Sequence, residues 1–329
     1  MSNSLARFLL PALLLASSVA LAGPAVILTP VIGRSDSVVI QGRVLKEAPS
    51  QGSSVLSRNL RRLTAPNWEG AKVEVSFLGA STTVTSGNDG GFEVTLQPAQ
   101  GASFPTGFYL VEAKVAGASA RARVQVVGDT TPFLVVSDFD DTLAISNVIK
   151  PAKLMENALL KDSASQQVVP GMAAFYGCLK APTAPAFALV SGSPVQFGSR
   201  VNDFLGRHGF PPFGVYLRDL GPSTLSGYKQ PIIRRLLRQF PQPVVLVGDS
   251  GEKDPEIYAQ IRDEFPGRVK AIYIRDAGRT EDSSRFKDMV LFQSASEAAE
   301  HAGKNGLAEA TCVTNAFPAR MPTAQTPTP

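Results

Sequence analysis

Histidine and cysteine are nearly missing from this 329-residue chain, which has two of each. Neither His208 nor His301 lies in a motif, which argues against a Ser-His-Asp hydrolase and against a zinc site built on imidazoles. Two cysteines make no disulfide framework. Cys178 flanks the apolar face of a helix and Cys312 falls in the tail, so a buried thiol plus a tail thiol is expected. A bridge between them is the alternative in an oxidising compartment. No G-x-x-x-x-G-K-[ST] occurs, so a phosphate-cradling P-loop is not supported. The formal charge is only +4 and the basic residues are scattered, so nucleic acid is not an expected partner. Charged residues make up 18% and apolar residues 44%, which excludes a disordered chain and leaves ample material for a core.

Long apolar runs are also scarce. The first stretch, Phe8 to Ala22, is broken by Pro11 and is too short for a good membrane span of about 20 residues. Arg7 before it and Ala20-Leu21-Ala22 at its end give residues 1–22 the pattern of a secretory signal peptide. No cysteine follows, so a lipidated start is not expected. The expected product is exported, periplasmic or secreted, with its mature start near Gly23.

From 23 to 130 the pattern is all-β. Val38-Val39-Ile40, Val73/Val75/Phe77, Phe92/Val94/Leu96, Phe108–Val115 and Val124–Val127 alternate or run apolar. Turn clusters such as Gly87-Asn88-Asp89-Gly90-Gly91 separate them, which suggests a small sandwich. Residues 46–66, rich in Ser, Arg and Gly, read as a long loop. No catalytic cluster is found in this region.

The period changes at Phe133. Strands at Phe133–Ser137, Phe187–Val190, Val215–Leu217, Val244–Val247 and Val269–Ile274 alternate with amphipathic helices. One helix carries Met172, Phe175, Tyr176 and Leu179, and others carry Phe197/Val201/Phe204/Leu205, Ile232/Ile233/Leu236/Leu237/Phe240 and Ile257/Ile261/Phe265. Such alternation predicts a doubly wound, mostly parallel α/β sheet over 131–305, the second domain, with a variable stretch at 143–169. The remainder, 306–329, ends in aperiodic Pro, Thr and Ala and reads as a disordered tail.

Each predicted strand delivers a polar group at its carboxyl end, where open α/β sheets gather their chemistry. Strand one supplies Asp138 and Asp140, strand two Ser191, and strand four Asp249, with Asp254 opening the next helix. Lys229 opens the helix after strand three. Carboxylates in that number suit Mg²⁺, while an ammonium and a hydroxyl suit phosphoryl oxygens. An aspartate can attack phosphorus, and a second acid can protonate the leaving alkoxide.

Asp138-Phe139-Asp140-Asp141-Thr142, Ser191-Gly192-Ser193-Pro194, Tyr228-Lys229 and Gly248-Asp249-Ser250-Gly251-Glu252-Lys253-Asp254-Pro255-Glu256-Ile257-Tyr258 resemble the four motifs of haloacid dehalogenase superfamily phosphatases. More narrowly, they resemble the actin-patch-type phosphatidate phosphatase catalytic domain over about Phe133 to Asp276. The preceding sandwich resembles the N-terminal domain of bacterial members of that family. The resemblance implies Asp138 as nucleophile and Mg²⁺ ligand. It implies Asp140 as general acid/base, with its main-chain carbonyl on the metal, and Thr142 as an orienting hydroxyl. It places Ser191, Gly192 and Lys229 on the phosphoryl group, Asp249 on the metal, and Asp254 on the metal or its water. The implied substrate is a phospholipid, phosphatidate, cleaved to diacylglycerol. A soluble phosphomonoester, or a non-catalytic lipid-phosphate binding role, are the alternatives.

Two stretches invite other readings. Arg207-His208-Gly209 starts like a histidine acid phosphatase motif, but His208 ends an amphipathic helix with Gly209 beyond it. Val148 to Leu160 mixes Lys150 and Lys153 with apolar residues, so it fits either peripheral membrane contact or a cap packed on its own domain.

Overall fold

The computed structural model describes residues 23–50, 52–146, 165–179, 184–219 and 225–318. The expected leader (1–22), the Val148–Leu160 stretch and the end of the tail (319–329) lie outside the described residues.

Eight strands come first: β1 (Ala25–Leu28), β2 (Val31–Arg34), β3 (Val38–Leu45), β4 (Lys72–Phe77), β5 (Ala80–Thr85), β6 (Gly91–Leu96), β7 (Gly107–Val115) and β8 (Ala118–Val127). They form a three-stranded sheet ordered β1-β3-β6 and a five-stranded sheet ordered β2-β8-β7-β4-β5. Alternation dictates which side chains meet: Val73, Val75 and Phe77 of β4 are buried while Lys72 and Glu74 are exposed. Inward residues of both sheets, such as Ile40, Phe92, Val75, Val111 and Val124, join one core. Two hairpins close over two-residue turns, Leu78-Gly79 and Ala116-Gly117, with positive φ at both central positions. That conformation matches strand twist, so the glycine in each pair is the permissive half and Leu78 and Ala116 take the strained half.

Residues 46–66 are not the uniform loop expected. They contain helix α1 (Val55–Thr64), opened by a capping box in which Ser54 and Ser57 satisfy each other's backbone N–H. The Ser- and Gly-rich flanks hid a short Leu/Arg period.

The second half is built on β9 (Leu134–Ser137), β10 (Ala186–Pro194), β11 (Phe213–Arg218), β12 (Val244–Asp249), β13 (Val269–Arg275) and β14 (Val290–Phe292). They make one sheet ordered β11-β10-β9-β12-β13-β14, and each neighbouring pair is parallel. The helices are α2 (Met172–Cys178), α3 (Gly198–Arg207), α4 (Leu225–Gln239), α5 (Asp254–Glu264), α6 (Ala295–Lys304) and α7 (Ala310–Ala316). Leu134 and Val136 pack with Ile233, Leu236 and Ile257 of α4 and α5 on one face. Val135 packs with Met172, Phe175, Phe204 and Ala298 of α2, α3 and α6 on the other. A strand covered on both faces needs apolar residues without alternation, which explains the unbroken Phe-Leu-Val-Val run.

The tail reading is corrected for its described part. Residues 310–316 are helical, Val313 is buried, and Glu309 N–H donates to the Cys178 carbonyl at 3.1 Å. The favoured pair of free thiols is also corrected: Cys178 and Cys312 are bonded, with Cα atoms 5.5 Å apart. Their separation of 134 residues closes a loop whose entropy loss in the unfolded chain is worth about 4–5 kcal/mol. The aperiodic composition concealed a short helix held to α2 by that bond.

The two halves share a face. Val215 N–H donates to the Pro30 carbonyl at 2.7 Å, and Ile32 N–H donates to Tyr216 Oη at 3.3 Å. Buried Arg43 reaches Asp219 at 2.5 Å and Asn67 at 3.1 Å.

Candidate active site

Strand register brings the acids together. Ser137 aligns with Leu189 of β10 and with Val247 of β12, so Asp138, Ser191 and Asp249 all stand just past one line across three adjacent strands. The Asp138 N–H continues the ladder by donating to the Val247 carbonyl at 2.9 Å. The chain then turns sharply: Leu143 and Ala144 N–H both donate to the Phe139 carbonyl, and Asp141 takes a φ of +53°. The Asp141 carboxylate accepts from Ser146 N–H at 2.9 Å and bonds its hydroxyl, a structural role that holds the turn.

Carboxylate oxygens of Asp138, Asp249 and Asp254 lie within 4.8 Å of one another, and all three residues are buried. Lys229 sits among them, its Nζ 2.8 Å from Asp138 Oδ1, 2.7 Å from Asp254 Oδ1 and 3.3 Å from Glu252 Oε2. Lys229 itself is only 1% exposed. Thr142 Oγ1 donates to Asp138 Oδ2 at 3.4 Å. The Asp140 carboxylate is not one of the clustered three; it accepts from Ser193 Oγ at 3.0 Å. Ser193 N–H in turn donates to Ser191 Oγ at 3.1 Å, with half-buried Gly192 between them. Asp138, Asp249 and Asp254 therefore gather as expected, and the Asp140 side chain, for which the resemblance implies acid/base work and only a main-chain contact with the metal, faces the Ser193 hydroxyl.

The Gly248–Tyr258 run earns its shape locally. A Cβ on Gly248 would run into the Asp254 carboxylate and lie 2.8 Å from the Tyr258 ring, so only glycine lets α5 come this close to β12. Gly251 N–H donates to Asp249 Oδ1 at 2.7 Å, and Asp249 N–H donates to Asp254 Oδ2 at 3.4 Å. Asp254 is the first residue of α5, as expected, with Pro255 beside it where a missing N–H costs nothing. Tyr258 Oη donates to the Val247 carbonyl at 3.1 Å.

Burial dominates the electrostatics. It raises the Asp138, Asp249 and Asp254 carboxyls above the usual carboxylate range; Lys229 opposes it at all three, while repulsion from Glu252 adds to it at all three and repulsion from Asp254 adds to it at Asp138 and Asp249. Burial and then the Glu252 carboxylate raise Asp140 to about 6. For Lys229 burial works against the ammonium, but Asp138, Asp254 and Glu252 more than offset it and its pKa is raised. A cation fits this arrangement: the donors are hard oxygens, and Asp249 Oδ2 is buried without a hydrogen-bond partner.

Three contributors were not singled out from the sequence. Glu252 lies inside the Gly248 run but had no role assigned. Tyr176 Oη lies 2.7 Å from Ser137 Oγ behind Asp138, within a buried aromatic cluster whose periodicity signals only a core. Arg285 donates to the carbonyls of Ser250, Glu252 and Arg279 at 3.0, 2.8 and 2.7 Å and to Glu256. No local pattern marks it, because its partners lie on the loop after β12, on α5 and after β13.

Comparison with known proteins points to the same segment. Residues 133–276 match the family described as "Phosphatidate phosphatase APP1, catalytic domain". The chain is 30% identical over 149 residues to phosphatidate phosphatase APP1 of Saccharomyces cerevisiae, covering 43% of this chain and 25% of that protein. It is also 30% identical over 158 residues to an uncharacterised protein of Schizosaccharomyces pombe, covering 45% and 26%. The chain thus spans about a quarter of the length of these curated relatives. Among solved structures, a Pnkp1/Rnl/Hen1 complex matches at 15% identity and a TM-score of 0.33, covering 50% of this chain and 47% of that one, too distant to argue from. The similarity to the phosphatidate phosphatase APP1 catalytic domain is thus confined to residues 133–276, less than half of this chain.

Proposed function

We propose that this chain is a Mg²⁺-dependent phosphatase that hydrolyses a phosphate monoester through a phosphorylated Asp138, with phosphatidate cleaved to diacylglycerol as its reaction. The observation that carries this reading is the buried Asp138–Asp249–Asp254 set with Lys229 inside it, lying at one sheet edge within the family segment. The reading includes a doubly wound, haloacid-dehalogenase-like catalytic half, an N-terminal sandwich, export by residues 1–22, and peripheral contact with a lipid surface.

Asp138, Asp249 and Asp254 would hold Mg²⁺, which when bound offsets repulsion between an anionic phosphoryl group and the anionic site. Lys229 and Ser191 hold phosphoryl oxygens in line for displacement. The Asp138 carboxylate attacks phosphorus as the bond to the alkoxide breaks, and Thr142 steadies the attacking group. Asp140, held protonated up to a pH of about 6, gives its proton to the departing alkoxide. As a carboxylate it then takes a proton from the water that releases phosphate and restores Asp138.

The test is phosphate release from phosphatidate micelles and from small phosphate esters, with and without chelator. Asp138→Asn is expected to lower turnover by at least about a thousandfold, the loss typical of a missing nucleophile. Undiminished release by that variant would sink the catalytic reading. Turnover confined to small esters would reassign the substrate.

A further inference from the structure

A cavity of about 310 Å³ lies between the two halves, beside β11, the edge strand of the parallel sheet. Thr29, Arg43 and Phe92 line it from the N-terminal sheets, and Leu217, Asp219 and Tyr228 from the α/β half. It borders the proposed phosphoryl site at three points. Tyr228 precedes Lys229 on α4, Leu217 aligns with Ser191 across the β10–β11 ladder, and Val195, also on the wall, follows the Ser191–Pro194 segment.

Every charge on this wall is answered by another. Arg43 meets Asp219 at 2.5 Å and Asp89 at 3.7 Å, and Glu93 meets Arg235 at 2.9 Å. An anion entering would face three carboxylates, and a cation would have to displace a guanidinium already in place. What remains unused is neutral hydrogen-bonding capacity. Among the described residues, Thr29 Oγ1, Tyr228 Oη and Asp219 Oδ2 have no hydrogen bond, although Thr29 is buried and Tyr228 half-buried. Hydroxyls donate and accept, and a carboxylate oxygen accepts, so these three groups match a ligand whose own polar groups are hydroxyls. Phe92 and Leu217 offer an apolar side to its carbon skeleton.

We infer that this cavity binds a neutral polyol, a glycerol unit or a single sugar ring, held by Thr29, Asp219 and Tyr228 between the two halves. The volume is at the low end for small-ligand sites, which suits a triol or one ring and not paired acyl chains. Phosphatidate would place its glycerol unit here, with its ester oxygens on the Thr29 and Tyr228 hydroxyls and its chains outside. Such a polyol has two sources, the alcohol half of the phosphate ester or a free polyol beside it. The first rests on the phosphatase reading above; the second does not.

The probes are glycerol 3-phosphate, ethyl phosphate, ethanolamine phosphate and free glycerol, presented to the full-length Asp138→Asn chain so that turnover does not interfere. Calorimetry reads the esters, and saturation-transfer NMR reads glycerol. Glycerol 3-phosphate is expected to bind about tenfold tighter than ethyl phosphate, the worth of two added hydrogen bonds. Thr29→Val and Tyr228→Phe each remove one hydroxyl and keep the shape. Each should lose about threefold of that preference. Affinity for ethyl phosphate should stay unchanged in both, which also shows that they fold. That pattern assigns the cavity to the ester's own alcohol. Saturation transfer to free glycerol that Thr29→Val abolishes and ethyl phosphate leaves intact would assign it to a separate polyol.

Equal affinity for glycerol 3-phosphate and ethyl phosphate, with no transfer to glycerol, would overturn the inference even if phosphate release is confirmed. So would tightest binding of ethanolamine phosphate, or a preference that neither Thr29→Val nor Tyr228→Phe reduces. Transfer to glycerol in a chain that binds none of the esters would leave the cavity standing and remove the phosphatase reading.

Discussion

Asp140 is the residue whose proton matters to folding and, in the proposed mechanism, to chemistry. Burial, then Glu252, lifts its pKa from 3.8 to about 6, so the native state binds this proton more tightly than the unfolded chain does. The stabilisation is therefore complete below pH 3.8 and is lost as pH rises through about 6. Above that, an ionised Asp140 costs the fold at most about 3 kcal/mol. Asp140→Asn, which still accepts from Ser193, should make the protein without added divalent ions more stable than the parent at neutral pH. The gap should close near pH 4. Urea midpoints at the two pH values measure it, and a gap independent of pH would show that the site does not strain this carboxyl. Turnover should fall sharply in the same variant, since an amide donates no proton to an alkoxide. At this scale the gathering of Asp138, Asp249, Asp254 and Lys229 was legible from their coincidence, in order, at the strand ends, since each alone is an ordinary turn or helix residue. The direction of Asp140's side chain was not, since it depends on Ser193 reaching across from β10.

Among the elements, strand ends and their loops position the chemistry, and the loop after β12 is the least self-sufficient. Gly251 and Asp254 tie it to Asp249 from within, and Arg285 ties it from outside. The Arg285 guanidinium, 11% exposed at its side chain, holds the Ser250, Glu252 and Arg279 carbonyls and the Glu256 carboxylate at once. Partners of this kind around metal ligands are typically worth 10–100-fold in metal affinity. If Mg²⁺ is held by Asp138, Asp249 and Asp254 as proposed, Arg285→Ala should raise the Mg²⁺ concentration for half-maximal turnover by about tenfold while changing turnover at saturating Mg²⁺ much less. Arg285→Lys should recover little, because one ammonium cannot reproduce a planar fork with several directed donors. Equal Mg²⁺ dependence in Arg285→Ala and the parent would reduce Arg285 to a surface clamp. The central strands could be read from sequence because burial on both faces leaves an apolar run with sharp ends. Helix α1 could not, since its period spans under three turns among serines and glycines. Strand β14 escaped for a similar reason, being three residues long with Leu291 exposed.

The whole molecule is less divisible than its change of period at Phe133 suggests. Sequence patterning separates an all-β half from an α/β half, but patterning reports which residues are buried, not against what. In the structure one apolar cluster runs through both, from Ile32, Val38 and Val126 to Leu134, Ala188 and Tyr216. The contact is close at Gly214 of β11, where an added Cβ would lie 2.9 Å from the Ile32 backbone nitrogen. Backbone cannot retreat as a flexible side chain does, so Gly214→Ala must push β2 off β11, and overpacking of this kind costs about 1–3 kcal/mol. A shared core also implies shared unfolding. Calorimetry should show one transition with equal calorimetric and van't Hoff enthalpies, and Gly214→Ala should move that single transition to lower temperature. Two separated transitions, with Gly214→Ala lowering only the first, would mean that the halves fold independently and that the cluster merely abuts. Tyr216 carries the consequence to function: its hydroxyl meets Ile32 of β2, and its strand lies beside β10, whose end supplies Ser191. If the halves are one cooperative unit, the N-terminal sheets help to hold Ser191 and the segment after it, proposed to meet the phosphoryl group, in place. Gly214→Ala should then also weaken binding of the phosphoryl group, measurable as a raised KM with little change in kcat.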